Sequence, residues 1–202
     1  MFIKTEDDLR AVYGQPKTKT LEKILPNLDH HCEHFISLSP FLVMATSDVN
    51  GHADASPKGD VAGFVQVQDK QTVLIPDRIG NNIADSLRNI IHNPEIGLIF
   101  FIPGIRETLR VNGTCQISVD PALLTRFEEK GKLPKSVFSV NVREAYMHCG
   151  KAVIRSDLWG ETQKIARKDF PTLGTILADQ IAGLDAESSD KGLEHSYENK
   201  LY

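Results

Sequence analysis

The sequence predicts a mainly β protein: a small antiparallel barrel of six or seven strands with helices at its periphery. Three observations predict it. Short apolar or alternating runs of strand length recur between Phe41 and Met147. Most are joined by tight turns, which favour antiparallel neighbours over crossover connections. Helical spacing is confined to the two ends and to stretches between sheet segments.

From the start, residues 5–38 read as helical. Thr5 with Asp7 and Asp8 makes a helix opening, since acidic groups suit the positive end of the helix dipole. Gly14 and Pro16 break that helix, Thr20–Leu25 begins another, and beyond Pro26 the residues Leu28, Cys32, Phe35 and Ile36 continue an apolar stripe. His30 and His34 stand four apart and could share a helix face, but no HExxH arrangement accompanies them, so a solvated helix surface is the better reading. FLVMATS (41–47) and ADASPKG (53–59) form a hairpin around Asn50-Gly51, which readily supplies positive φ angles. FVQVQ (64–68) and TVLI (72–75) form a second around Asp69-Lys70-Gln71, ending at Pro76, which has no N–H to give a sheet ladder. A helix over 82–92 carries Leu87, Ile90 and Ile91. Asn93-Pro94 stops it, and Ile96–Ile102 is the most hydrophobic strand. After Pro103-Gly104, Glu107–Val119 alternates, placing Thr108 and Arg110 on the face opposite Leu109 and Val111. Asp120-Pro121 caps a short helix over LLTRFEEKG, and Val137–Met147 is the last long strand. The tail from Ala186 is polar, free to move or to reach a partner subunit.

Composition narrows the class. A chain of 202 residues supports one substantial domain with terminal decoration: a helical segment over 1–38, the barrel over 39–160, and a helical segment with a polar tail over 161–202. A formal net charge of -4 argues against broad nucleic-acid binding. Cys32, Cys115 and Cys149 lie far apart without CxxC spacing, which suits free thiols in a reducing cytoplasm. The acidic start lacks an apolar signal core, and the longest apolar run, IGLIFFI, is far too short to span a bilayer, so a cytoplasmic protein is expected.

Two stretches carry chemistry. Between 75 and 82 a strand runs into Asp77, Arg78, Gly80, Asn81 and Asn82 ahead of a helix. Asn81 or Asn82 suits an N-cap, and a helix start offers free N–H groups to an anion. A guanidinium beside it, Arg78, suits a phosphate monoester; a capped helix with a solvated arginine accounts for the same residues. In the other stretch, Ala53, Ala55, Ser56 and Gly59 leave room for a flat ligand against backbone. Lys58 adds a cation there and Ser56 a hydroxyl, although an edge strand with small residues has the same look. Adjacent residues on a strand point to opposite faces, so His148 and Cys149 do not make a catalytic dyad, and Cys149 is expected to be a packed thiol.

In this order the motifs resemble those of the FMN-binding split-barrel flavoproteins of the pyridoxamine 5'-phosphate oxidase-like superfamily. The resemblance rests on SPKGD (56–60), IPDRIGNN (75–82), DSLRNIIHNPEIGLIFFIPG (85–104), ETLRVNG (107–113) and HCGKAVIRSDLW (148–159), and covers roughly residues 35–160. It implies an FMN-dependent oxidoreductase acting on a small organic molecule, a homodimer with two FMN molecules in clefts at the subunit interface. By position it implies that Ser56, Lys58, Gly59 and Asp60 edge the flavin. Ile75, Pro76 and Asp77 would lie beside its ring or ribityl chain through backbone contacts, and Arg78, Asn81 and Asn82 would meet its phosphate and ribityl group. Thr108 and Arg110 would approach from the neighbouring strand, across the dimer, and Trp159 and Arg155 would reach the cleft or the surface. After Trp159 the run GETQKIARKD stands where true pyridoxamine phosphate oxidases have an Arg-Leu-His-Asp-Arg-like ending, so a vitamin B6 substrate is not implied. No residue stands out as a general acid or base, which leaves open a flavin-binding or sensor protein without turnover. A split barrel holding deazaflavin, or haem on His148 or His195, is open on the same ground.

Overall fold

The computed structural model describes residues 2–202, and its centre is a seven-stranded antiparallel sheet. In chain order the strands are β1 (Phe41–Ser47), β2 (Ala53–Gly59), β3 (Gln66–Asp69), β4 (Thr72–Asp77), β5 (Glu95–Phe101), β6 (Thr108–Ser118) and β7 (Ser136–His148). Their spatial order is β2-β1-β5-β6-β7-β4-β3. The helices are α1 (Glu6–Tyr13), α2 (Thr18–Glu22), α3 (His30–Leu38), α4 (Asp85–His92), α5 (Pro121–Thr125), α6 (Lys151–Ser156), α7 (Leu173–Gln180) and α8 (Ala186–Asn199). No helix among the described residues is long and apolar enough to cross a membrane.

The strand order makes the sheet a barrel. β2 and β3 follow one another in the chain but lie at opposite edges of the sheet. Flat, seven strands at ~4.8 Å spacing would hold those edges about 29 Å apart, more than the ~25 Å that the link from Gly59 to Gln66 reaches fully extended. That link is not extended, for the Phe64 amide donates to the Val61 carbonyl in a turn. The sheet therefore curls until its edges approach. β2 and β3 do not pair, and the barrel is split along that line. A bulge helps the curl: Asn112 faces Glu144 and Gly113 faces Val142, leaving Arg143 as the extra residue. Glycine is required there, because a Cβ on Gly113 would collide with the Asn141 carbonyl.

Alternation fills the interior. Leu42, Met44, Leu98, Phe100, Leu109, Val111, Phe138 and Val140 are buried from four successive strands, and α3 closes one end with Cys32, Phe35 and Ile36. Each large apolar side chain so buried contributes about 1.5–3 kcal/mol. Polar bonds seat α4 against the inward face of β1 and β2. Ser86 Oγ donates to Asp54 Oδ2 at 2.9 Å, and Asn89 Nδ2 to Thr46 Oγ1 at 3.0 Å.

Four expectations need correction. The strand before the anion turn does not end at Pro76 but runs to Asp77, paired with β7. The Gln71 carbonyl accepts from Val142 of β7 and the Asp77 carbonyl from Lys135 just before it, so the alternate residue Pro76 turns its missing donor the other way, where β3, which pairs no further along β4 than Leu74, offers no partner. The helix begins not at 82 but at Asp85, behind Ala84 at φ 59 with no side-chain cap. Asn81 instead accepts the Ile83 amide and Asn82 takes φ 60, because asparagine serves tight turns as readily as caps. The helix after Pro121 ends at Thr125, and Lys130 and Gly131 make a turn at positive φ. The tail from Ala186 is α8, and it folds back on its own chain.

Candidate functional site

The split in the barrel opens into a cavity of about 630 Å³, within the range of small-molecule sites. One wall is β2, whose Asp54, Ser56 and Lys58 alternate inward. The other is the end of β4, the turn 78–84 and the residues leading into β7, Lys135 and Ser136. Phe64 and Phe138 form an apolar floor.

Two ion pairs cross the split. Lys58 Nζ lies 3.4 Å from Asp77 Oδ1, and Arg78 Nε donates to Asp60 Oδ2 at 2.8 Å. Arg78 Nη1 also donates to the Phe127 carbonyl at 2.6 Å. The Asp60 side chain is only 1% exposed. Burial alone would raise its pKa, but hydrogen bonds from Tyr202, the Val61 amide and Arg78 outweigh that and hold it below the ordinary value.

Of the residues nominated from sequence, Ser56, Lys58, Gly59, Pro76, Asp77, Arg78, Asn81 and Asn82 line this one cavity. Ile75 is fully buried in the core. Asp60 is turned to Arg78 and Tyr202. Thr108 and Arg110 do share a face, but they line a second cavity of about 570 Å³ with Asn112, Ile99, His148 and Cys149, beneath α6. Cys149 is exposed there, not packed: it follows the last residue of β7, where the alternation that buries β-strand thiols has stopped. Trp159 is tied to neither cavity; its indole N–H donates to the Ile105 carbonyl at 2.8 Å.

Lys135 escaped the sequence reading. Its ammonium donates to Asn82 Oδ1 at 2.8 Å. Among the described residues it is the one cation of this cavity wall that pairs with no carboxylate. The signal was available only through strand pairing: β4 and β7 align Asp77 with Ser136, which sets Lys135 beside the turn that begins at Arg78.

A split antiparallel barrel with its cavity at the unpaired edge sets the class as the split barrels. A family model described as pyridoxamine 5'-phosphate oxidase matches residues 28–149, and the chain belongs to that family. Among solved structures, HupZ of Group A Streptococcus superposes with a TM-score of 0.50 at 18% identity, over 59% of this chain and 93% of that one. The FAD binding protein of Mycobacterium smegmatis gives 0.44 at 16% identity, over 61% and 97%. At 18% identity the likeness to HupZ speaks for the fold alone. No curated protein matches the chain.

Proposed function

We propose that the protein is an FMN-dependent oxidoreductase acting on a small organic substrate as a homodimer. The observation that carries this is the cavity in the split, which sets a strand of small residues opposite a turn bearing Arg78 and Asn82, with Lys135 reaching in beside it. The donor set fits the cofactor: a dianionic phosphate needs cations and N–H donors, and a flat ring needs an apolar floor and uncrowded backbone. Lys135, Asn82 and Arg78 would hold the phosphate end, and Ser56, Lys58 and Gly59 would edge the ring. FMN, when bound, supplies the hydride chemistry, while the chain's residues position it and shield it from water.

The second cavity supports the dimer. Val43, Ala45, Ile99 and Phe101 present an apolar face of β1 and β5, with Thr108 and Arg110 beside it. A second copy covering this face would carry Thr108 and Arg110 to the flavin of its neighbour, which one chain cannot do for its own cavity. The purified protein should be yellow or become so with added FMN, and reduced nicotinamides should bleach it. A colourless protein that takes up no FMN overturns the reading. Bound FMN that no nicotinamide reduces and no acceptor reoxidises makes the protein a flavin carrier or sensor.

A further inference from the structure

α7 and α8 pack against each other as a hairpin, closely enough that the Gly174 amide donates to Asp190 Oδ1 at 2.8 Å. A Cβ on Gly174 would collide with the Ala186 carbonyl. The hairpin is poorly seated on the barrel, leaving Leu173, Ile181, Leu184, Tyr197 and Leu201 exposed. Among the described residues, one side-chain hydrogen bond ties it there: Tyr202 Oη donates to Asp60 Oδ1 at 2.6 Å. The Tyr202 ring also lies 5.3 Å from the Arg78 guanidinium and 5.0 Å from Lys130 Nζ, within reach of cation–π attraction. The bond to Asp60 also raises the pKa of the Tyr202 hydroxyl, so it stays protonated as a donor. The single tether of the arm therefore lands on the ion pair that borders the cavity.

We propose that the α7–α8 arm is a lid over the Arg78 end of the cavity and that Tyr202 is its latch, a positioning residue that fixes Asp60 and, through it, Arg78. The lid rests on the reading that the cavity holds a phosphate-bearing flavin; the latch does not. With the latch closed, Asp60 accepts from Tyr202 and the Val61 amide on one oxygen and from Arg78 on the other, and Arg78 is held by Asp60, Phe127 and the tyrosine ring. With it open, Asp60 loses one partner and Arg78 one neighbour, so the guanidinium is less well fixed. Ligand occupancy and arm docking are then linked, each favouring the other by the same factor.

The full-length chain and its Tyr202→Phe and Tyr202→Ala variants are compared by hydrogen exchange of residues 173–199 without ligand, and by the rate of FMN dissociation. Tyr202→Phe keeps the ring on Arg78 and loses only the hydroxyl. Arm exchange should quicken in Tyr202→Ala, and less in Tyr202→Phe, with barrel exchange unchanged. FMN should leave roughly fivefold faster or more from Tyr202→Ala, the lower end of usual site–site coupling, and FMN should slow arm exchange in the wild type. Arm exchange equal in all three proteins overturns the latch. Faster arm exchange with unchanged FMN dissociation overturns the lid. A wild type that binds no FMN overturns the flavin reading and the lid with it, while the ligand-free exchange still decides the latch.

Discussion

Arg78 and Asp60 face each other across the split, Nε to Oδ2 at 2.8 Å, so the arginine that looks in sequence like a free anion ligand is already half-committed. The same bond that positions it also neutralises part of its charge. Asp60 is almost wholly enclosed, so the pair joins two edges of the barrel that no ladder hydrogen bond joins.

Arg78→Ala should therefore destabilise the fold as well as the site. It leaves an enclosed carboxylate short of a partner, at a cost of about 1–3 kcal/mol, read as a lowered urea midpoint. Adding Asp60→Asn should recover part of that loss, since neighbours in one network couple. Additive losses would show that the two residues do not act as a pair.

Lys135→Ala separates the anchor from the staple. The residue is exposed and its side chain is bonded only to Asn82, so thermal stability should hardly move. FMN affinity should fall by about 1.5–3 kcal/mol, the range for a hydrogen bond to a charged group. Riboflavin, which lacks the phosphate, should bind as before. Isothermal titration with both ligands decides it, and equal losses would remove Lys135 from the phosphate end.

Acid should expose the contribution of Asp60. Its folded pKa lies below the ordinary carboxylate value, so its charge stabilises the fold above that value and ceases to as pH falls through the folded pKa. The stability gap between wild type and Asp60→Asn should be wide at pH 7 and close below pH about 4. Urea unfolding at both pH values measures it, and a gap that is constant or widens in acid contradicts the assignment.

Thiol labelling tests the second cavity. Burial pushes Cys32 up to about 11 and Cys115 up to about 12, while Cys149 is exposed. Iodoacetamide at pH 8 should therefore modify Cys149 alone in the native protein, since the thiolate is the nucleophile. Because Cys149 lines the face assigned to the dimer, its labelling should slow as protein concentration rises. Ile99→Glu on that face should yield a monomer by sedimentation, with fast labelling at every concentration.

The hairpin β1–β2 was legible to the residue, because Asn-Gly between two runs of strand length states both the turn and its flanks. The helix start was not. Asn81 and Asn82 suit a cap and a left-handed turn alike, and the choice follows from the distant Lys135 holding Asn82. For the same reason Arg78 could be nominated but not its partners: Asp60 meets it only once the sheet has curled, and Phe127 and Tyr202 arrive from far along the chain. Local chemistry marked the residues of the turn, and strand pairing decided what each one touches.

The placement of β2 and β3 at opposite edges sets the order in which the molecule can be assembled. As the chain leaves the ribosome, the hairpins β1–β2 and β3–β4 can each form early, but nothing yet joins them in one sheet. β5 and β6 extend the first hairpin, and only β7, pairing with β6 on one side and β4 on the other, joins the halves. A nascent chain halted before Ser136 should hence carry unpaired strand edges and be sensitive to protease and prone to aggregate, becoming resistant once β7 emerges. Refolding of the whole chain should be slow, on the millisecond-to-second scale of proteins dominated by non-local pairing, and stopped-flow fluorescence of the single Trp159 would time it.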